Sequence, residues 1–376
     1  MPASGSLEAP SSALGDPIEY RKSGLSLNHI IGCPLDCAYC VRHLFDNFEM
    51  KMPTASCDDE TAVNLLVSNR YFVPHTTPLQ VFNRATDPLL PSVKPHLFRV
   101  IELLDEAGYR NHLLVISRYR FLPEDAERLN RVRNLRVTLL VTYSGIADKR
   151  IEPIDSNIAA ESLRLAYSLA QNYRVILYWR PLVPGLNDSP EHLSRIHELS
   201  RYCHAVVFTG LFYRDAIRSY FVSNGLPDLY EATARRKIFP ENLEATVIES
   251  FRSSGLLGKL FRKTSCGVSF AHGLPDYNGH YCIRELCDIC PVEQVRRCAD
   301  SHSLPSQEVV NALAEQMGAS ETPAITDRGI QVSGLDEQRR YFIQHRLNFQ
   351  VHDTKYPHKP KRHGRAEIGW LDKTTT

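Results

Sequence analysis

Six short, almost continuously apolar runs constrain what this chain can fold into. They span residues 25–31, 79–83, 112–117, 137–143, 175–179 and 205–212. Each lacks the alternation of a strand with one wet face, so each reads as a strand buried on both sides. Between them lie amphipathic stretches of helical length at 60–70, 94–107, 124–132, 157–171 and 191–200. Pro123 followed by Glu124 and Asp125 opens one such stretch, and Ser189-Pro190-Glu191 opens another. Gly108 stands where a helix would be capped and stopped. Strands alternating with helices imply a parallel sheet joined by right-handed crossovers.

Six βα units are fewer than the eight of a closed barrel. The expected fold is therefore α/β: a partial (βα)6 barrel with parallel strands, plus a cysteine-rich C-terminal extension. A doubly wound open sheet is the alternative. The absence of G-x-G-x-x-G after the first strand weakens its dinucleotide-binding version. After Tyr213 the alternation fades. The expected organisation is a disordered leader at 1–20, the barrel core at 21–215, a helical and cysteine-rich metal-binding extension at 216–303, and a C-terminal segment at 304–376. That last segment carries helical patterns at 307–317 and 335–346 and ends in a basic tail.

Composition excludes several classes. The leader is rich in Pro, Ala, Ser and Gly and has neither the basic nor the apolar region of a secretory signal. No run approaches the ~18 apolar residues of a membrane span. A cytoplasmic protein without a membrane partner is expected, and with it reduced cysteines. Lys and Arg number 44 against 43 Asp and Glu, a net charge of +1. That balance argues against a chain that coats nucleic acid. Residues 355–365 carry five Lys/Arg and no acid, which reads as a solvated tail or a local polyanion contact.

The 10 cysteines fall into two groups. The first lies in the loop after the first strand, Gly32-Cys33-Pro34-Leu35-Asp36-Cys37-Ala38-Tyr39-Cys40, a C-x3-C-x2-C run. Three thiolates from one short loop leave one iron of a four-iron cluster open, because a closed [4Fe–4S] site takes four cysteines. An open iron can bind a substrate or cofactor. A structural zinc site is the alternative and needs a fourth ligand, for which His29 or His43 could serve.

C-x3-C-x2-C directly after the first strand of a (βα)6 pattern resembles the radical S-adenosylmethionine (SAM) enzymes, with Tyr39 as the aromatic before the third cysteine. The resemblance implies a [4Fe–4S] cluster on Cys33, Cys37 and Cys40 whose unique iron chelates the methionine part of SAM. It also implies reductive cleavage to a 5′-deoxyadenosyl radical and a small reductant protein such as flavodoxin or ferredoxin. Thr86-Asp87-Pro88 with Pro91, Ile151-Glu152-Pro153, and the run from Arg180-Pro181 to Asn187-Asp188 follow later strands. In that order they are similar to the spore photoproduct lyase and DNA repair photolyase-like branch, over roughly residues 25–300. The branch suggests nucleic-acid lesions as substrate, with a zinc-binding, non-radical protein as the other alternative.

Ligands of parallel α/β folds sit at the C-terminal ends of strands. Asn83, Thr86, Asp87, Ser117, Arg118, Tyr143, Ser144 and Arg180 all stand there. With Tyr39 they are the candidate cofactor-binding set, Tyr143 apart. Asp87 would accept from the methionine ammonium, Ser117 and Ser144 would bond the ribose, and Arg118 or Arg180 would pair the carboxylate.

The second group is Cys266, Cys282, Cys287, Cys290 and Cys298, with Pro291 after Cys290 as in ferredoxin-type runs. Five cysteines in 33 residues imply a metal: a second [4Fe–4S] cluster, or zinc that His272 or His280 could join. The segment 270–278 between the first two reads either as a loop around that metal or as a cover over the barrel mouth. Cys203 reads as a core residue. Cys57 precedes a helix, and no motif places it as the hydrogen donor that this branch uses.

Overall fold

The structure, a computed structural model, describes residues 16–234 and 237–354. The first fifteen residues of the expected leader and the basic 355–365 tail lie outside them. One eight-stranded sheet organises the chain, in the spatial order β1 (Ile18–Arg21), β2 (Gly24–Leu27), β3 (Leu79–Val81), β4 (His112–Ser117), β5 (Arg136–Tyr143), β6 (Arg174–Trp179), β7 (Ala205–Phe208) and β8 (Leu260–Phe261). β1 pairs antiparallel with β2, and every later neighbour is parallel. β1 and β8 are the two edges and do not pair with each other, so the barrel is open.

Three expectations need correction. The parallel strands number seven rather than six, because β8 joins β7 from within the stretch read as a helical extension. Two residues carry no readable periodicity; only their neighbour defines them as a strand. The leader ends earlier than residue 20, since β1 is built from Ile18–Arg21. Tyr20 is 2% exposed and its hydroxyl lies 2.8 Å from His345 Nδ1, a partner 325 residues away. Finally, 25–31 is not one strand. Asn28 turns its amide to Ser26 Oγ (2.7 Å), His29 turns to Asp59 (2.8 Å), and Ile30–Ile31 pairs separately with Thr54–Ala55.

The crossover helices α1 (Asp59–Ser68), α2 (Lys94–Glu106), α3 (Pro123–Arg131), α4 (Ser156–Leu169) and α5 (Pro190–Leu199) lie within two residues of their expected bounds. Side chains alternate across a strand. Leu113, Val115, Leu139, Val141, Val175 and Leu177 pack with the helices in the main core. Leu114, Leu140, Ile176 and Val207 form a second core on the opposite face.

The extension contributes α6 (Asp215–Ser223), α7 (Glu241–Ser253), α8 (Thr264–Ala271) and α9 (Val292–Ser301). α8 covers the second face, with Val268 in that core. It approaches so closely that a Cβ on Gly267 would lie 2.6 Å from Val207 Cγ2, so glycine is needed there. Last come α10 (Gln307–Met317), α11 (Glu337–Leu347) and a small sheet of Ala324–Ile325, Ile330–Val332 and Val351–Asp353. No helix among the described residues is long and apolar enough to cross a membrane.

α4 starts immediately after the Ile151–Pro153 turn, and the Asp155 carboxylate caps it by accepting from Asn157 N. Asp155→Ala is expected to cost about 1 kcal/mol, read as a lower urea midpoint with an unchanged slope.

Candidate active site

The cysteine loop leaves the sheet through Gly32, whose φ is +118°. A Cβ there would lie 2.2 Å from the Met52 carbonyl oxygen, so no other residue fits. The loop has little regular structure to satisfy its carbonyls. The buried Arg42 guanidinium does so instead, donating to Cys33 O (2.9 Å), Phe48 O (3.0 Å) and Met50 O (2.5 Å), and also to Asn47 O. The Ala38 amide donates to Ile151 O (3.0 Å), which ties the loop to the turn after β5.

This architecture opens a cavity at the C-terminal ends of the strands. Cys33, Cys37 and Cys40 line it together with Tyr39. Asn83, Thr86 and Asp87 contribute from the β3 end, Ser117 and Arg118 from the β4 end, and Arg180 from the β6 end. Ile116 and Thr142 form its floor, and they continue the rows of Leu114 and Leu140 on the sheet face that α8 covers lower down. Ser144 and Tyr143 lie outside this lining, as do all the cysteines of the second group.

Several side chains in the lining are already engaged with one another. Asp87 accepts from Ser117 Oγ (2.6 Å), Leu89 N (3.0 Å) and Arg118 N (2.9 Å), so it clamps the β3 and β4 ends together. Ser117 Oγ also accepts from Tyr119 N (3.0 Å). Asn83 lies between Ser26 and Gln80. Arg118 reaches Glu152 Oε2 at 2.5 Å, bonds the Tyr39 hydroxyl, and stacks 5.2 Å from the Tyr39 ring centre. Ser144 Oγ donates to the same Glu152 oxygen (3.1 Å).

Glu152 is thus the hub of the site. It is 3% exposed, and it also accepts from the Tyr39 hydroxyl and lies 3.4 Å from Cys37 Sγ. Neither Glu152 nor Arg42 is in the candidate set read from the sequence. The available signal was a single acid held between Ile151 and Pro153 at a strand end.

Two groups in the cavity have no partner in this wall. Thr86 Oγ1 is buried without a hydrogen-bond partner. Arg180 stacks 4.8 Å from the Tyr178 ring centre, engages the Tyr178 hydroxyl, and has no carboxylate partner among the described residues. Burial pushes the Cys37 thiol well above its ordinary pKa; Arg118 opposes this and Glu152 reinforces it. Burial also raises Cys33. A bound cation would reverse that balance, because a coordinating thiol is deprotonated.

This donor set fits an iron–sulfur cluster better than a single ion. Tetrahedral zinc with Zn–S near 2.3 Å puts its sulfurs about 3.8 Å apart. Among the described residues, the groups with all ligand atoms within 4.8 Å of one another are His29–Asp59–His96 and Cys266–Asp276–His280, not the three loop thiols. The two histidines that could complete a zinc site are placed elsewhere. His29 pairs with Asp59, and His43 stacks 3.6 Å from the Phe48 ring centre, outside the cavity lining.

Fold and site together define an open α/β barrel with three thiols converging at its mouth. No protein-family model matches the chain, and no curated protein matches it. Solved structures similar to it include a spore photoproduct lyase point mutant (TM-score 0.49, 12% identity, 66% of this chain and 79% of that one). A spore photoproduct lyase double mutant with bound AdoMet and dinucleoside spore photoproduct is also similar (TM-score 0.47, 12% identity, 61% and 73%). So is Streptococcus suis SuiB bound to S-adenosylmethionine (TM-score 0.41, 8% identity, 68% and 54%).

Proposed function

We propose that this chain is a cytoplasmic radical SAM enzyme that holds one [4Fe–4S] cluster on Cys33, Cys37 and Cys40. The observation that carries this reading is the convergence of three thiols on one strand-end cavity that also holds Arg180, without an acid partner, and an orphan Thr86 hydroxyl. Three protein ligands leave one iron corner for a second molecule. When bound, the cluster and SAM supply reductive sulfonium cleavage, giving a 5′-deoxyadenosyl radical that takes hydrogen from the substrate.

The chain's own residues position and shield that chemistry. Arg180 offers a forked donor pair to the methionine carboxylate. Thr86 Oγ1 offers a hydrogen bond to the same ligand. Asp87 and Ser117, engaged with each other, hold the cavity wall in shape, and Arg118 is spent on Glu152 and Tyr39. Phe48, Phe82 and Ile116 exclude water from one side of the cavity. A small reductant protein such as flavodoxin or ferredoxin supplies the electron.

Anaerobic reconstitution followed by SAM and dithionite is expected to release 5′-deoxyadenosine from the native chain and none from Cys37→Ala. A native chain with full iron occupancy that releases none would sink the reading.

A further inference from the structure

The five cysteines of the second group do not share one environment. Cys266 projects from α8, and Cys290 packs beside it against the core of Leu140, Ile176 and Val207. Cys287 and Cys290 bracket a tight turn in which Cys290 N donates to Cys287 O (3.0 Å). Cys298 comes from α9, one turn beyond Gln294, whose Nε2 lies 3.5 Å from its sulfur. The Asp276 amide points at the same sulfur (3.4 Å). Asp276 is 4% exposed, and its Oδ1 lies 3.7 Å from Cys266 Sγ.

Asp276 links Cys266 to Cys298 through its carboxylate and its amide, and Cys290 links Cys266 to Cys287 through the shared core and the turn. Cys282 differs. Its sulfur faces the Gln350 amide, it is 2% exposed, and it belongs to the main core with Phe349 and Val351.

We propose that Cys266, Cys287, Cys290 and Cys298 hold a second iron–sulfur cluster of the [4Fe–4S] type, and that Cys282 is a core residue outside it. Four half-buried thiols from α8, the 287–290 turn and α9 face one another around Asp276, and a cation that neutralises them as thiolates accounts for that arrangement. No three of these sulfurs lie within 4.8 Å of one another, too open for an all-thiolate tetrahedral ion but suited to a cluster whose corners stand apart, whereas a lone zinc would take the compact set of Cys266, Asp276 and His280. With four protein ligands no corner is left for a substrate, unlike the first group. The site also explains why this layer sits on the sheet face opposite the crossover helices. There a cluster would bond α8, the 287–290 turn and α9 into one unit. The segment 270–278 supports it from the strand-start side, where His272 Nε2 meets Thr138 Oγ1 (2.9 Å) and Tyr277 stacks 5.0 Å from His112. It therefore does not cover the barrel mouth, as one sequence reading expected.

The test uses the full chain with Cys33→Ala, Cys37→Ala and Cys40→Ala combined, so that it does not depend on the first cluster. After anaerobic reconstitution with iron and sulfide, this variant is expected to keep about four iron and four sulfide per chain, with cluster absorption and a matching Mössbauer spectrum. Adding Cys287→Ser is expected to remove them; adding Cys282→Ser is not. One zinc per chain, no bound metal in folded protein, or equal iron loss with Cys282→Ser would each overturn the proposal. If the combined variant does not fold by circular dichroism, Cys287→Ser alone in the intact chain serves. It is expected to lose about half of the iron, whereas Cys282→Ser keeps all of it, and any other pattern counts against the site.

Discussion

Glu152→Gln is expected to cost about 3–5 kcal/mol of stability and to lower 5′-deoxyadenosine formation about 10–100-fold. The carboxylate is the ion-pair partner of the Arg118 guanidinium, and their side chains are 4% and 16% exposed. Removing its charge strands a largely buried guanidinium, which is where most of the cost of breaking a buried pair arises. With its oxygen kept toward Tyr39 and Ser144, which donate to the same Glu152 oxygen, the amide turns an NH2 to the side that faces Cys37 Sγ. The loss then passes to function because Glu152 adjoins Cys37 and fixes Tyr39 between Cys37 and Cys40. Urea unfolding reads the first effect and product release the second. The double variant Glu152→Gln/Arg118→Gln removes the stranded charge. It should regain much of the stability while staying poorly active. An unchanged unfolding midpoint in the single variant would show that the hub is not a desolvated pair.

Acid should destabilise the chain steeply between about pH 6.5 and pH 4. Burial lowers His345 from its ordinary value to about 3, and the Lys22 carbonyl that accepts from it offsets only part of this. His112 is likewise lowered to about 3, by burial and then by Arg136. Above pH 6.5 both folded and unfolded chains carry these rings neutral, so they add no pH dependence. Below it the unfolded chain takes up protons that the folded chain refuses. Stability therefore falls as pH drops, by up to about 1.4 kcal/mol per pH unit for each histidine until its folded pKa is reached. Denaturant unfolding at pH 7, 5.5 and 4.5 measures the slope. His345→Gln supplies a neutral donor and acceptor for Lys22 O and the Tyr20 hydroxyl, and it should flatten that slope by about one histidine's share. A slope unchanged by this substitution would mean that His345 is protonated in the folded chain.

Much of the scaffold was legible because it is local. β4 and α10 match the ranges read from apolar patterning, and the crossover helices carry their own start signals in Pro123, Ser189 and Pro190. The spacing of Cys33, Cys37 and Cys40 is likewise a property of one short loop. What periodicity missed was short or held by distant partners: β1 needs Gln338 and His345, and β8 needs Val206 and Val207.

The division is sharper inside the site. Residue identity alone nominated Asp87, Ser117, Arg118 and Arg180 as equals, because each is a polar residue at a strand end. Packing separated them by deciding whose hydrogen-bonding capacity is already used. Asp87, Ser117 and Arg118 bond within the wall, and Arg180 faces the cavity without an acid. The same holds for the second cysteine group, where the spacing suggests a metal and packing sets Cys282 in the main core apart from the other four. By itself the sequence determined the strand–helix order and the two cysteine groups, since both are written in spacing along the chain. The tertiary structure decided the Glu152 hub, the Arg180 side chain without an acid partner and the burial of Cys282 in the main core, since burial and hydrogen bonding depend on residues brought together from distant parts of the chain.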